Sequence, residues 1–219
     1  TVIVPNGVDT EFFRPELKNE QILSEYGLEE QSYILFVGRI SPEKGVHILL
    51  RAFKQIVNYI PKDFKLVVVG PLSSTFNSAQ PSSYAEAMMR YSKEELGEKV
   101  VFTGAIDRNS LRVLYSNAYC LILPSLAEAF PMVLLEAMAS GIPPIGSTAG
   151  GIPDIIIDGV NGLLFKRRDW KDLANKLLML IEDKSLRNKI AINARKHVEE
   201  HYSWFSVSLR LKIVYKRLI

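Results

Sequence analysis

The sequence predicts an α/β protein built on a doubly wound parallel sheet, Rossmann-like in outline. Short unbroken apolar runs recur, as in Tyr33-Ile34-Leu35-Phe36-Val37 and Tyr119-Cys120-Leu121-Ile122-Leu123. A strand apolar at every position is covered on both faces. Between such runs lie stretches with apolar residues at helical spacing, Ile48, Leu49, Ala52, Phe53, Ile56 and Val57 being the clearest. Strand and helix alternate along the chain, the pattern of parallel strands joined by crossover helices. No repeat, low-complexity segment or break in composition divides the 219 residues, so one domain over 1–219 is expected.

In order, residues 2–4 read as a short strand, Asn6-Gly7 as a turn and 9–15 as a loop. A weak helix over 18–26 stops at Gly27. Strand 33–37 leads through a Gly-bearing loop into a helix over 46–59 whose start is expected near Glu43 or Lys44. Residues 65–69 are a strand, 72–83 a loop rich in Ser, Pro and Asn, 84–96 a helix and 100–102 a strand. Helix 109–116 is capped by Asp107 or Asn109. Strand 119–123 ends at Pro124, and helical composition over 133–139 stops at Gly141. Pro131 fits that helix's first turn, where its missing N–H costs nothing. Strand 143–146 follows. Gly150-Gly151 reads as a plain turn opening a short helix over 152–157. Asp158-Gly159 and Asn161-Gly162 are turns around a last strand, 163–165, and amphipathic helices cover 170–182, 185–201 and 203–218.

Composition narrows the function. Lys+Arg 27 against Asp+Glu 24 gives a net charge of +3, too small a bias for a nucleic-acid partner. One cysteine, Cys120, lies in an apolar strand and has no partner within the chain, which fits a reducing, cytoplasmic setting. No apolar run reaches membrane-spanning length and no signal peptide is present. The chain begins at Thr1 without an initiator Met and reads as a piece of something longer. His47, His197 and His201 share no metal-ligand spacing, so no metal site is expected. Ser125 lacks a Gly-x-Ser-x-Gly elbow, and no nucleophilic triad stands out. The last helix carries Trp204, Val207, Leu211, Val214 and Leu218 on one stripe beside Arg210, Lys216 and Arg217. Such a stripe either packs on its own protein or lies on a membrane surface.

The chemistry concentrates at Glu128-Ala129-Phe130-Pro131-Met132-Val133-Leu134-Leu135-Glu136. Glu128 falls in the loop between a buried strand and a helix, and Glu136 lies about 7 Å along that helix. Two carboxylates and the free N–H groups of Met132 and Val133 then converge at the carboxyl edge of a sheet, where open α/β sheets bind ligands. Helix N–H groups hold an anion; carboxylates accept hydrogen bonds from paired hydroxyls. A phosphate beside polyols is a nucleotide sugar. The plainer alternatives are a Glu serving the helix dipole and a solvated Glu136. Arg39 and Lys44 flank the loop after the first long strand, a second phosphate-binding arrangement. That loop matches neither Gly-x4-Gly-Lys-Ser/Thr nor Gly-x-Gly-x-x-Gly. A surface Arg and Lys are the alternative there.

Pro5-Asn6-Gly7-Val8-Asp9 with Phe13-Arg14-Pro15, Gly38-Arg39 with Glu43-Lys44-Gly45, Glu128 with Glu136, Gly150-Gly151-Ile152-Pro153-Asp154 and Gly159-Val160-Asn161-Gly162-Leu163-Leu164-Phe165 fall in one order. That order resembles retaining GT-B glycosyltransferases of the glycogen synthase and sucrose synthase type, the glycosyl transferases group 1 family. The resemblance covers nearly the whole chain, and Tyr202-Ser203-Trp204 resembles the start of the family's closing helix. It implies the C-terminal, donor-binding half of a GT-B fold, with the N-terminal acceptor domain absent. Arg39 and Lys44 would hold the diphosphate and stabilise it as leaving group, and Glu128 would contact the donor sugar. Glu136 would bind the ribose, backbone at Gly38, Phe130, Met132 and Val133 would touch sugar and phosphate, and main chain at 104–106 would neighbour the base. It implies no cofactor and no bound metal, a UDP-, GDP- or ADP-hexose donor, and a glycan, lipid or small-molecule acceptor. The setting implied is cytoplasmic, with attachment to the inner face of a membrane left open. Ala129 and Pro131 stand where many members have Gly, Asp154 where many have Glu, and the loop after Gly70 is longer and Ser-rich. The rival readings are a nucleotide-sugar binding module without catalysis and a GT-B-fold nucleotide-sugar epimerase.

Overall fold

A computed structural model describes residues 3–73 and 80–216. Six strands form one sheet: β1 (Tyr33–Val37), β2 (Lys65–Val69), β3 (Val100–Gly104), β4 (Cys120–Leu123), β5 (Pro144–Ser147) and β6 (Leu163–Phe165). Their order is β3-β2-β1-β4-β5-β6, and every pairing is parallel. The helices are α1 (Glu20–Glu25), α2 (Val46–Ile56), α3 (Ser83–Leu96), α4 (Arg108–Asn117), α5 (Met132–Ala139), α6 (Trp170–Glu182), α7 (Lys184–His201) and α8 (Trp204–Lys216).

The unbroken apolar strands are explained by cover on both faces. In β1, Leu35 and Val37 join one core with Leu114 of α4, Leu135 and Met138 of α5 and Ala194 of α7. Ile34 and Phe36 join the other with Leu49 and Phe53 of α2 and Leu173 and Leu177 of α6. Successive side chains alternate between these cores, as the period of two requires. Cys120 is fully buried in β4. Among the described residues no helix is long and apolar enough to cross a membrane.

The expected doubly wound sheet is present, and most elements lie within a residue or two of their expected bounds. Several details differ. Ile3 and Val4 form no strand, and Val2 lies outside the described residues. Ile3 is 85% exposed, and neither it nor Val4, just before Pro5, pairs with a strand. The segment that follows is pinned instead by Val8, whose N–H donates to the Tyr202 carbonyl at 2.7 Å. Helix α2 starts at Val46, later than Glu43 or Lys44. Residues Pro42–Lys44 make a separate 3-10 turn, and Gly45, at φ 72°, breaks the two apart. Pro131 is the cap before α5, not a residue of its first turn. No helix forms over 152–157: Pro153 donates no N–H, and the segment closes as turns that bury Ile152, Ile155 and Ile156. Helix α8 does not bury its expected stripe. Val207 is covered, but Trp204 and Leu211 are exposed along with Phe205 and Ile213; Leu218 lies outside the described residues.

Candidate functional site

The strand order decides which loops meet. It reverses between β1 and β4, so the loops leaving their carboxyl ends flank the switch point of the sheet, where such folds leave a crevice. The first, residues 38–45, carries Gly38, Arg39 and Lys44; the second, 124–131, carries Glu128 and Phe130. Leu126 N–H donates to the Glu43 carbonyl at 2.7 Å, stitching them together. Gly45 is the point of closest approach: a Cβ there would collide with the Pro124 carbonyl oxygen.

This contact brings Lys44 and Glu128, 84 positions apart, into an ion pair of 2.5 Å between Nζ and Oε1. Its side chains keep 23% and 9% of their surface. The same carboxylate oxygen accepts from Ser125 Oγ at 2.8 Å. Ser125 is therefore a support of Glu128. Arg39 is exposed on the same loop as Lys44.

The loop after β5 braces Glu128 from the other side. Ser147 Oγ donates to the Ser125 carbonyl at 2.6 Å, and Gly151 N–H to the Glu128 carbonyl at 3.0 Å. Gly150-Gly151 is thus more than a plain turn: it lets two backbones touch. Gly150 sits at φ 52°, and a Cβ there would collide with the Glu128 carbonyl. Gly150→Ala is expected to destabilise the protein by about 2–3 kcal/mol, the sum of left-handed strain and displaced backbone. In a chain of this size that lowers the melting temperature by roughly 5–10 °C in a thermal scan.

Helix α5 begins at Met132 with no side-chain cap. Leu134 N–H finds the Pro131 carbonyl at 3.1 Å, while the N–H groups of Met132 and Val133 have no acceptor among the described residues. Two free donors and the positive end of the helix dipole make an anion-binding end beside the Glu128 loop. Phe130, half-buried, lies near Tyr202 at the end of α7, ring centroids 6.1 Å apart.

Glu136 lies one turn deeper and is not a solvated face residue. It is partly buried, and its Oε2 accepts from Tyr115 OH of α4 at 2.9 Å. Burial pushes its carboxyl above the usual range; the Tyr115 hydrogen bond and the Arg108 guanidinium pull the other way without cancelling it. A carboxyl raised in this way adds stability below its unfolded pKa and loses that contribution as pH climbs through its folded value. Glu136→Gln is therefore expected to melt higher than the parent at neutral pH, with the gap closing towards about pH 4. Thermal melts across that range measure it. Tyr115 and Arg108 carried no signal in the sequence, since a Tyr on the inner side of an amphipathic helix reads as core.

Among the described residues, no three His, Cys, Asp or Glu side chains gather as metal ligands. The three histidines fall elsewhere: His47 Nδ1 lies 2.8 Å from Tyr84 OH, and the His197 and His201 rings meet edge to face with centroids 4.7 Å apart.

Known proteins share this fold and sequence pattern. Residues 18–197 match the family model described as glycosyl transferases group 1. A lipopolysaccharide 1,2-N-acetylglucosaminetransferase of Salmonella typhimurium is 33% identical over 213 residues, 96% of this chain and 55% of the relative. The C-terminal domain of a glycosyl transferase group 1 family protein (LpcC) from Francisella tularensis superposes with a TM-score of 0.79 at 30% identity. It covers 90% of this chain and 100% of that one. Anabaena Alr3699/HepE, crystallised with UDP and glucose, shares the fold with a TM-score of 0.85 at 23% identity, over 98% of this chain and 56% of its own. The chain spans about half the length of the curated relatives it matches. With its six-stranded parallel sheet matched to the C-terminal half of GT-B enzymes and its family pattern spanning residues 18–197, the chain belongs to the glycosyl transferases group 1 family.

Proposed function

We propose that residues 1–219 are the donor-binding domain of a retaining glycosyltransferase. They hold a nucleoside-diphosphate hexose, UDP-, GDP- or ADP-linked, while a separate N-terminal domain presents a glycan, lipid or small-molecule acceptor. The observation that carries this reading is the meeting at the β1/β4 switch point of a cationic loop, a carboxylate loop and an uncapped helix end. Two features of the relatives support it: they run to about twice this chain's length, and one with the same fold was crystallised with UDP and glucose. A cytoplasmic setting, in line with the one buried thiol, belongs to the same proposal.

In this reading Arg39, Lys44 and the N–H groups of Met132 and Val133 neutralise the diphosphate. Backbone at Gly38 and Phe130 closes round phosphate and sugar. Glu136 takes the ribose diol, and Glu128 lies against the sugar. As the bond from the anomeric carbon to the diphosphate breaks, negative charge grows on the leaving oxygen and positive charge on the sugar ring. Cations and N–H dipoles already fixed on one side, and a carboxylate on the other, stabilise both without reorganising. Glu128 is then shared: paired with Lys44 in the free protein, it faces the sugar once the diphosphate claims Lys44.

Thermal melting against a panel of UDP-, GDP- and ADP-sugars tests the reading. A bound donor at a hundredfold excess over its Kd stabilises by about 2.7 kcal/mol, a rise of roughly 5–10 °C for this size. No shift with any donor would remove the reading. With the full-length enzyme, a product of the donor's own anomeric configuration supports retention, and an inverted product contradicts that part.

A further inference from the structure

We propose that Tyr115 is a positioning residue for the ribose of the bound nucleotide, acting through Glu136; the proposal rests on the donor-site reading above. Tyr115 is in α4, outside every loop at the carboxyl edge, and is completely buried. Its ring packs edge-on against Phe13, centroids 5.7 Å apart, in the core beneath α5. A phenylalanine would serve that packing. The hydroxyl does something the ring cannot, donating to Glu136 Oε2 at 2.9 Å. Burial holds its pKa well above the ordinary value, so it remains a donor throughout the physiological pH range.

The consequences for Glu136 follow from geometry. The terminal torsion of a glutamate is broad and two-fold, so an unbound carboxylate samples many orientations. The bond from the core fixes one oxygen and leaves Oε1 for the ribose diol. It also stabilises the charged form that accepts from those hydroxyls, against the burial that disfavours it. Arg108, the charged group acting on Glu136, is at the exposed start of α4 with its guanidinium 4.8 Å over Phe12; it adds charge without holding the carboxylate's plane. The cations that hold the diphosphate lie on a different loop. Removal of the Tyr115 hydroxyl therefore weakens recognition of the ribose and spares recognition of the phosphates, a split that general loss of packing does not produce.

Calorimetry on the chain with UDP, GDP and ADP first finds the base that binds, and the 2′,3′-dideoxy form of that nucleotide is then the probe. The parent protein is expected to prefer the ribonucleotide by about 10- to 100-fold, the range for hydrogen bonds to a charged acceptor. In Tyr115→Phe the preference falls to about threefold or less, dideoxynucleotide affinity stays as in the parent, and the pH below which the ribose preference vanishes moves up. If Tyr115→Phe does not fold, 4-fluorophenylalanine at 115 fills the hydroxyl's volume without donating and is expected to give the same result. A variant that keeps the parent's preference overturns the proposal alone, as does equal loss for both nucleotides. A parent protein that binds ribo and dideoxy forms equally overturns it through Glu136. A parent protein that binds none of the three nucleotides overturns the donor-site reading, and the proposal with it.

Discussion

Glu128→Gln is expected to cut transfer by the full-length enzyme about 10²- to 10³-fold while leaving nucleotide affinity equal to the parent's or a few-fold tighter. The two halves of that expectation have separate causes. The amide keeps the shape of the side chain and can still accept from Ser125 Oγ, now 2.8 Å away, so the loop keeps its brace. It cannot answer positive charge on the sugar, the quantity that grows on the way to the transition state. Lys44, no longer paired with a carboxylate at 2.5 Å, is free for the diphosphate before any ligand arrives. A role confined to structure predicts the reverse: lower stability, and kcat unchanged wherever the protein is folded. Paired measurements of kcat and nucleotide Kd separate the two.

Lys44→Ala is expected to weaken nucleoside diphosphate binding by about 10- to 100-fold, the span of a charge-assisted hydrogen bond to phosphate. The change also strands Glu128, whose side chain is only 9% exposed, beside the place the diphosphate would occupy. Breaking a fully buried pair costs about 3–5 kcal/mol; with Lys44 23% exposed, and Ser125 still donating, about 1–2 kcal/mol is the reasonable figure here. Lys44→Ala combined with Glu128→Gln sorts these effects. The double variant is expected to recover stability, because no carboxylate is left unpaired, and to remain weak for the nucleotide, because the cation is gone. Recovery of both would make Lys44 merely the partner of Glu128.

The sheet was legible because its strands are buried on both faces, which writes them as unbroken apolar runs. The two failures of element type have local causes. Ile3 and Val4 are apolar but lie before a proline and pair with no strand, and 152–157 carry helix-like spacing that Pro153 and the strained Gly150 divert into turns. The site divides in the same way. Glu128, Met132 and Val133 sit in one short stretch, so a strand-to-helix loop with carboxylates and free N–H groups could be read directly. The Lys44–Glu128 pair could not, since it depends on β1 and β4 being neighbours, which follows from strand order and not from any local pattern. Tyr115 lay furthest from view. Its hydroxyl matters only because α4 and α5 pack side by side, and in the sequence it is one more apolar-face residue.

Whether the switch-point loops form a diphosphate-binding donor site is decided by calorimetric titration of this chain with UDP, GDP and ADP in the presence of EDTA. Saturable one-to-one binding of at least one nucleotide, abolished in Arg39→Ala with Lys44→Ala, is the predicted result. Absence of binding by all three, or binding that survives the loss of both cations, would contradict it.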